Sequence, residues 1–358
     1  MNKLPRHTII PSSAITVPTR RLSHYLNVGK KPEMGDLVYG EVMSVSAHAG
    51  IENRFGRVHN LHNHSKAIFV FANRYSPDYF EGVVPEAYTE QIDLISLAGV
   101  IGRMTVKNTN KQDPTQIKIL GYVCDKNGKI VNTRDHSLIV PKSKFKKFPR
   151  SKCIVVVGTA MSSGKSRAAV ELCRILCMLG KKVCAAKITG TARLKDILFM
   201  NDGGASPVVD FTYLGYPSTY LLSEHELLEI FNNIDLKYAN NPKSYFVVEL
   251  ADGILQRETA ILLKSKEFIK RIDKLVFCAK DSLGIVGGLQ ILKDQFDMTP
   301  DLLSGIFSSS PLYAREIAEI SRIPIFDSLN ADVEVITKAL GIQKYQVPDN
   351  SETLLKAI

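Results

Sequence analysis

No segment of this 358-residue sequence is long and apolar enough to cross a bilayer, which takes about 18 to 20 consecutive apolar residues. Its start shows no basic stretch leading into an apolar core, so no secretory leader is expected. The six cysteines, at 124, 153, 173, 177, 184 and 278, form no Cys-x-x-Cys pair. Cys173 and Cys177 lie four apart on a predicted helix, among Leu172, Leu176 and Leu179. They read as small buried hydrophobes rather than as a metal or redox pair. A serine triad and a flavin-type motif are missing as well. These absences leave a soluble protein expected in a reducing cytoplasm, with no membrane partner.

Charge of negative sign is scarce only in the first part of the chain. Residues 1–150 hold 22 Lys and Arg against 12 Asp and Glu, whereas residues 151–358 hold 24 of each, so the net +10 sits entirely in the first part. Lys142, Lys144, Lys146, Lys147 and Arg150 crowd its last nine positions. A basic region beside a neutral one points to an anionic partner, nucleic acid or a phosphorylated ligand, or to ordinary solvated charge. No interleaved aromatic platform speaks for nucleic acid.

Residues 1–141 are rich in β-branched and aromatic runs such as DLVYGEVMSVSA, AIFVFANRY and LAGVIGRMTV, and predict a small β-rich domain, barrel-like or sandwich-like. In IKILGYVCDKNGKIVNT two extended runs flank Asn127-Gly128, which predicts a hairpin with a type I′ turn. Residues 142–150, rich in lysine with a proline, read as a linker. From Ser151 to about residue 330 buried strands alternate with amphipathic helices, which implies a mostly parallel sheet covered on both faces, with ligands at the carboxyl ends of its strands. Residues 331–358 are expected to pack on that domain as a tail.

The strand CIVVVG runs into GTAMSSGKS, residues 158–166, and then into the helical SRAAVELCRILCMLG. A strand, a glycine-bearing turn ending in Gly-Lys-Ser and a helix together offer a nucleotide three things. Backbone N–H groups meet the phosphates, Lys165 neutralises charge, and the Ser166 hydroxyl can ligate Mg²⁺. The expected nucleotide-binding set is Gly158, Thr159, Ser162, Ser163, Gly164, Lys165, Ser166 and Arg167. Thr159 stands where the usual GxxxxGK[ST] pattern has its first glycine.

In Gly158, Thr159, Gly164, Lys165 and Ser166 this loop resembles the GTDTxxGK[ST] loop of dethiobiotin synthetase and its relatives among P-loop proteins, with Ala160 and Met161 departing. AAKITG is similar to that family's KPxxTG, matching at Lys187, Thr189 and Gly190. SYFVVELADG is similar to its strand ending in EGAGG, matching at Glu249 and Gly253. The resemblance implies an ATP-dependent enzyme with Mg²⁺, of ligase or kinase type, acting on a small anionic substrate and commonly a homodimer. Lys165 and Lys187 would be its catalytic cations, and Ser166 and Glu249 its metal ligands. A kinase acting on a nucleotide or a nucleic-acid end, and a nucleotide-driven switch working on a protein partner, are the alternatives.

Independently of that likeness, a carboxylate closing the apolar run Tyr245 to Val248 is placed where a phosphate-bound Mg²⁺ would sit. Asp210 at the end of SPVVD has the best strand-end position for a further metal ligand, ahead of Asp196 and Asp202. Thr189, Ser218, Thr219 and Asp252 are possible substrate contacts. Lys280 and Asp281 follow another strand, and the Gly284 to Gly288 stretch would let backbone approach a ligand. His59, His62 and His64 within six residues form a possible metal site or a polar turn, with Arg54, Arg57, Lys66 and Arg74 nearby as an alternative anion surface.

Overall fold

Alternating apolar residues set the architecture of the first half in the computed structural model, which describes residues 1–140 and 150–342. Five strands, β1 (Leu37–Ser44), β2 (Lys66–Phe71), β3 (Gln91–Ser96), β4 (Val100–Lys107) and β5 (Thr115–Cys124), pair in a closed ring β1-β2-β4-β3-β5-β1. All contacts are antiparallel except the parallel β2–β4 pair. Val38, Val42, Phe69, Phe71, Ile92, Leu94, Ile117 and Ile119 share one buried cluster, every second residue turning inward as a barrel requires. Leu37, Tyr39, Ile68 and Val70 face the other way, onto Leu4, Ala14 and Val17 of the N-terminal segment.

The expected hairpin after β5 is much reduced. Asp125 Oδ1 accepts from the N–H groups of Asn127 and Lys129, and only Gly128 of the Asn-Gly pair has positive φ, +80°. The turn is therefore organised by the aspartate side chain and is not type I′. Its second arm forms single bridges at Ile130 and Asn132 and then a short 3₁₀ turn, Thr133–Asp135.

The second half is a P-loop NTPase fold. Strands β6 (Lys152–Gly158), β7 (Val183–Lys187), β8 (Val208–Asp210), β9 (Tyr245–Glu249), β10 (Lys274–Ala279) and β11 (Leu302–Gly305) form a wholly parallel sheet in the order β8-β7-β9-β6-β10-β11. Helices α1 (Lys165–Met178), α2 (Leu194–Asp202), α3 (Glu224–Tyr238), α4 (Arg257–Lys264), α5 (Ser282–Phe296), α6 (Pro311–Ile320) and α7 (Val333–Ala339) intervene or follow. Both faces of the sheet are buried. Cys153, Val155 and Val157 pack with α3 to α6, while Ile154 and Val156 pack with α1, α2 and α7, which explains the unbroken apolar run of β6. IPIFDS contributes only a single bridge, Ile325 to Leu303, beside β11.

Residues 142–149 of the expected linker and 343–358 of the expected tail lie outside the described residues. Arg150 Nη1 pairs with Asp235 at 3.0 Å, and Ile336 and Leu340 are buried against the α1 side of the sheet. All six cysteines are free, five of them buried and Cys177 half-buried. Among the described residues no helix is long and apolar enough to cross a membrane.

Candidate functional site

The parallel register of the sheet brings the site together. Lys187 on β7 is the cross-strand partner of both Glu249 on β9 and Asp210 on β8, so three polar residues stand in one row at the carboxyl edge. Beside them the loop from Gly158 to Lys165 closes onto the start of α1. Gly164 has φ +96°, and a Cβ there would meet the backbone of Gly305 at 2.8 Å. A Cβ on Gly253 would meet the Thr159 carbonyl oxygen at 2.2 Å. Only glycine lets the turn after β9 pass under the loop in this way.

Lys165 is 5% exposed, and its Nζ donates to the Ala160 carbonyl at 2.7 Å. Burial pulls its ammonium below the usual lysine range, with Glu249 and Asp252 acting in the opposite direction. Ser166 Oγ donates to Glu249 Oε1 at 2.8 Å, while Glu249 Oε2 is buried with no hydrogen-bond partner. Burial raises the Glu249 carboxyl, opposed by Lys187 and Lys165. A buried carboxylate with one unsatisfied oxygen, bonded through the other to the serine of the loop, is a donor set that fits Mg²⁺.

Lys187, itself buried, forms an ion pair with the half-buried Asp196 of α2. Burial by itself would lower its ammonium, but Asp196, Glu249 and Asp252 together raise it above the ordinary value. The carboxylate that meets this lysine is thus Asp196 and not its row neighbour. Asp210 instead caps the 3₁₀ turn Phe211–Leu214, accepting from Thr212 N at 2.9 Å and from the Thr212 hydroxyl, and it does not line the cavity described below. Burial pushes its carboxyl up to about 6.

A cavity of about 870 Å³ opens in front of the loop, walled on one side by the P-loop half and on the other by the barrel half. Among the described residues six Lys or Arg line it, Arg74, Lys165, Arg167, Lys187, Arg193 and Lys195, against three carboxylates, Asp196, Glu249 and Asp252. Of the four expected substrate contacts only Asp252 faces it, from a turn with φ +60°. Thr189 Oγ1 accepts from Ala251 N, Thr219 Oγ1 from Gly190 N, and Ser218 Oγ from Tyr220 N. Thr189 and Thr219 thus satisfy backbone donors of adjoining loops and Ser218 one within its own loop, which is why they stand where substrate contacts were expected. Asp281 caps α5 through Gly284 N at 2.7 Å, and a Cβ on Gly288 would strike the Phe277 ring at 2.0 Å. That glycine serves close helix-to-sheet packing, not a ligand.

The barrel's contribution was not evident in the sequence. Asp78 Oδ2 accepts from Ser162 Oγ at 2.9 Å, with Ser162 at φ +59° on the tip of the phosphate loop, and Ser76 Oγ lies 3.3 Å from Met161 Sδ. Glu52, wholly buried, accepts from Leu194 N at 2.8 Å and from Ser12 Oγ at 2.7 Å, with Arg193 Nε 3.4 Å away. It thereby caps the helix that carries Asp196. No local motif marks these residues, because their partners are distant in the chain.

The histidines point to different neighbours. His59 Nε2 lies 3.0 Å from Asn53 Nδ2 and His64 Nδ1 2.8 Å from Glu41 Oε1, and the described residues hold no group of three metal-ligating side chains. Of the four cations near them, Arg54 bonds the carbonyls of Ile15 and Val17, Lys66 pairs with Glu41, Arg57 is exposed, and Arg74 alone reaches the cavity.

No family profile and no curated protein matches the chain. Solved structures with a similar core include the signal recognition particle receptor FtsY from Elizabethkingia anophelis in complex with GDP, at 10% identity and TM-score 0.34 over 59% of this chain and 70% of that one. Chloroplast FtsY from Physcomitrella patens is 12% identical at TM-score 0.36 over 56% and 69%. FlhF complexed with GMPPNP and Mg²⁺ is 12% identical at TM-score 0.32 over 58% and 80%. None of these three is a dethiobiotin synthetase. The site has to be read from its own geometry.

Proposed function

We propose that this protein is an Mg²⁺- and ATP-dependent enzyme that transfers or activates through the γ-phosphate on a small anionic substrate bound between its two halves. The observation that carries the reading is the Ser166–Glu249 pair with its unsatisfied buried carboxylate oxygen, directly beside a glycine-shaped loop at the N-terminus of α1. Backbone N–H groups from Ser163 to Arg167 and the positive end of α1 bind the phosphates, and Lys165 leaves the Ala160 carbonyl to pair with them. Ser166 and Glu249 hold Mg²⁺, which when bound neutralises phosphate charge. Lys187, fixed by Asp196 and kept protonated by the carboxylates around it, stabilises charge on the transferring group. The excess of cations lining the cavity suits two anions at once.

Titration with a fluorescent ATP analogue, with and without Mg²⁺ and in competition with GTP, tests this reading. Tight binding that collapses on chelation of Mg²⁺ is expected. Equal binding with and without the metal would overturn the assignment of Ser166 and Glu249, and preference for GTP would correct the nucleotide.

A further inference from the structure

The barrel side of the cavity holds a cation with no counter-ion. Arg74 lies just past β2 and is 8% exposed, yet it lines the cavity. Its Nη1 lies 2.9 Å from His48 Nε2, its Nη2 3.3 Å from Ser76 Oγ, and its Nε is buried without a partner. Among the described residues no carboxylate stands within ion-pair distance of it, and Asp252 acts on it only at longer range. Arg271, the other arginine buried to this degree, shows what a structural one looks like in this fold. It bonds Asp235, Asp273 and the Ser151 carbonyl.

A buried guanidinium without an anion costs more free energy than its neutral contacts return. His48 does not compensate it. Burial and the adjoining Arg74 hold its imidazole down to about 4, so near neutral pH it is uncharged, and its Nε2 lone pair can accept from Nη1 and aim the fork. The same Nε2 lies 3.0 Å from the Ile95 carbonyl, and one tautomer can serve only one of these two contacts.

We propose that Arg74 anchors the carboxylate of a small organic acid, the second substrate, in the cavity facing the phosphate loop. As a second-substrate site this rests on the nucleotide reading above; as an anion site it stands alone. Among the described residues Arg74 is the sole Lys or Arg on the barrel side of the cavity, and its companions there include Tyr75, Tyr79, Val58 and Leu97. One planar fork matches one carboxylate, and the apolar and aromatic neighbours suit an organic body better than a bare phosphate dianion. His48 is a positioning residue.

The test is calorimetry and thermal unfolding of the full chain with acetate, succinate, malate, glutarate and benzoate, and separately with inorganic phosphate. At least one acid is expected to bind and raise Tm, and Arg74→Met to weaken that acid by about 30-fold or more, roughly 2 kcal/mol. Without acid, Arg74→Met should melt at or above the wild-type temperature, because it removes an unpaired buried charge, whereas Arg271→Met should melt well below it. Arg74→Lys, which keeps the charge and loses the fork, should bind the acid with intermediate affinity. The proposal is overturned if no acid binds, if Arg74→Met binds it as wild type does, if that variant is destabilised as a structural arginine would be, or if inorganic phosphate alone shows the dependence on Arg74. Wild-type protein that binds the acid through Arg74 but fails to bind Mg²⁺ and ATP would sink the nucleotide reading and leave the anion site standing.

Discussion

The two walls of the cavity are written into the chain in different ways. The phosphate-loop wall is nearly contiguous, a strand, six residues and a helix, with Glu249 and Lys187 brought beside it by the register of neighbouring strands. The barrel wall presents His48, Arg74 and Ser76 and is tied to the other half by Asp78 and Glu52, none of which belongs to a motif. A fold whose ligand edge is fixed by topology can state half of its site locally. The other half exists only once a second domain has been set against it.

The sharpest way to break the comparison is to remove the centre of the contiguous wall. On the proposed reading Lys165→Ala deletes charge-assisted hydrogen bonds to phosphate, each worth about 1.5 to 3 kcal/mol, so ATP affinity should fall by roughly 10²- to 10⁴-fold in a fluorescent-nucleotide titration. A loss below tenfold would mean that the loop is not the phosphate site.

Asp210 separates a row position from a role. Its carboxyl is raised from 3.8 to about 6 by burial, so the folded state holds the proton more tightly than the unfolded chain. The contribution of this carboxyl to stability should therefore be fully present below about pH 4 and be lost as pH rises through 6, the charged form being the one burial penalises. Asp210→Asn can still accept from Thr212 N but has no charge to bury. Relative to wild type it should gain up to about 2 to 3 kcal/mol at pH 8 over its value at pH 4, measured by urea unfolding at both. If the same substitution abolishes the Mg²⁺ dependence of nucleotide binding, Asp210 is a metal ligand after all.

Glu249→Gln is expected to do what Asp210→Asn does not. Loss of the anionic ligand should weaken the Mg²⁺ contribution to nucleotide affinity by about 10- to 100-fold, while binding in excess chelator changes little. Because burial raises the Glu249 carboxyl, Mg²⁺-dependent binding in the wild type should also weaken at a higher pH than for an ordinary glutamate as acid is added.

How much was legible follows from the range of each interaction. Continuous apolar runs and period-two alternation located both sheets, since burial on two faces or one is a local constraint on composition. The phosphate loop and Glu249 could be placed because a strand end is a defined point in a parallel sheet. Thr189, Ser218 and Thr219 misled because a hydroxyl that satisfies a backbone N–H has the same sequence signature as one that meets a substrate. Asp125 captured the turn at Asn127-Gly128 for a similar reason, its side chain outcompeting the backbone preference of the pair. Asp196 was passed over in favour of Asp210 because it lies on α2, and no local pattern shows that this helix sets its first turn beside Lys187. The N–H group that opens α2 is capped by Glu52, 142 residues before it.

Glu52 is therefore where the two walls meet, and altering it tests whether the barrel only adds residues or also positions those of the P-loop half. Glu52→Gln keeps an acceptor for Leu194 N but removes the charge that favours the positive end of α2 and stands 3.4 Å from Arg193 Nε. A charged cap lost from a helix N-terminus costs about 1 to 2 kcal/mol, which chemical denaturation will read directly. If α2 is held in place by this cap, its Asp196 loosens from Lys187, and turnover with the second substrate should fall further than ATP affinity does. If Glu52 serves only the contact between the halves, stability should drop alone, with turnover per folded molecule unchanged. The first outcome is expected, because the first turn of α2 holds both the capped N–H group and Asp196, two residues apart.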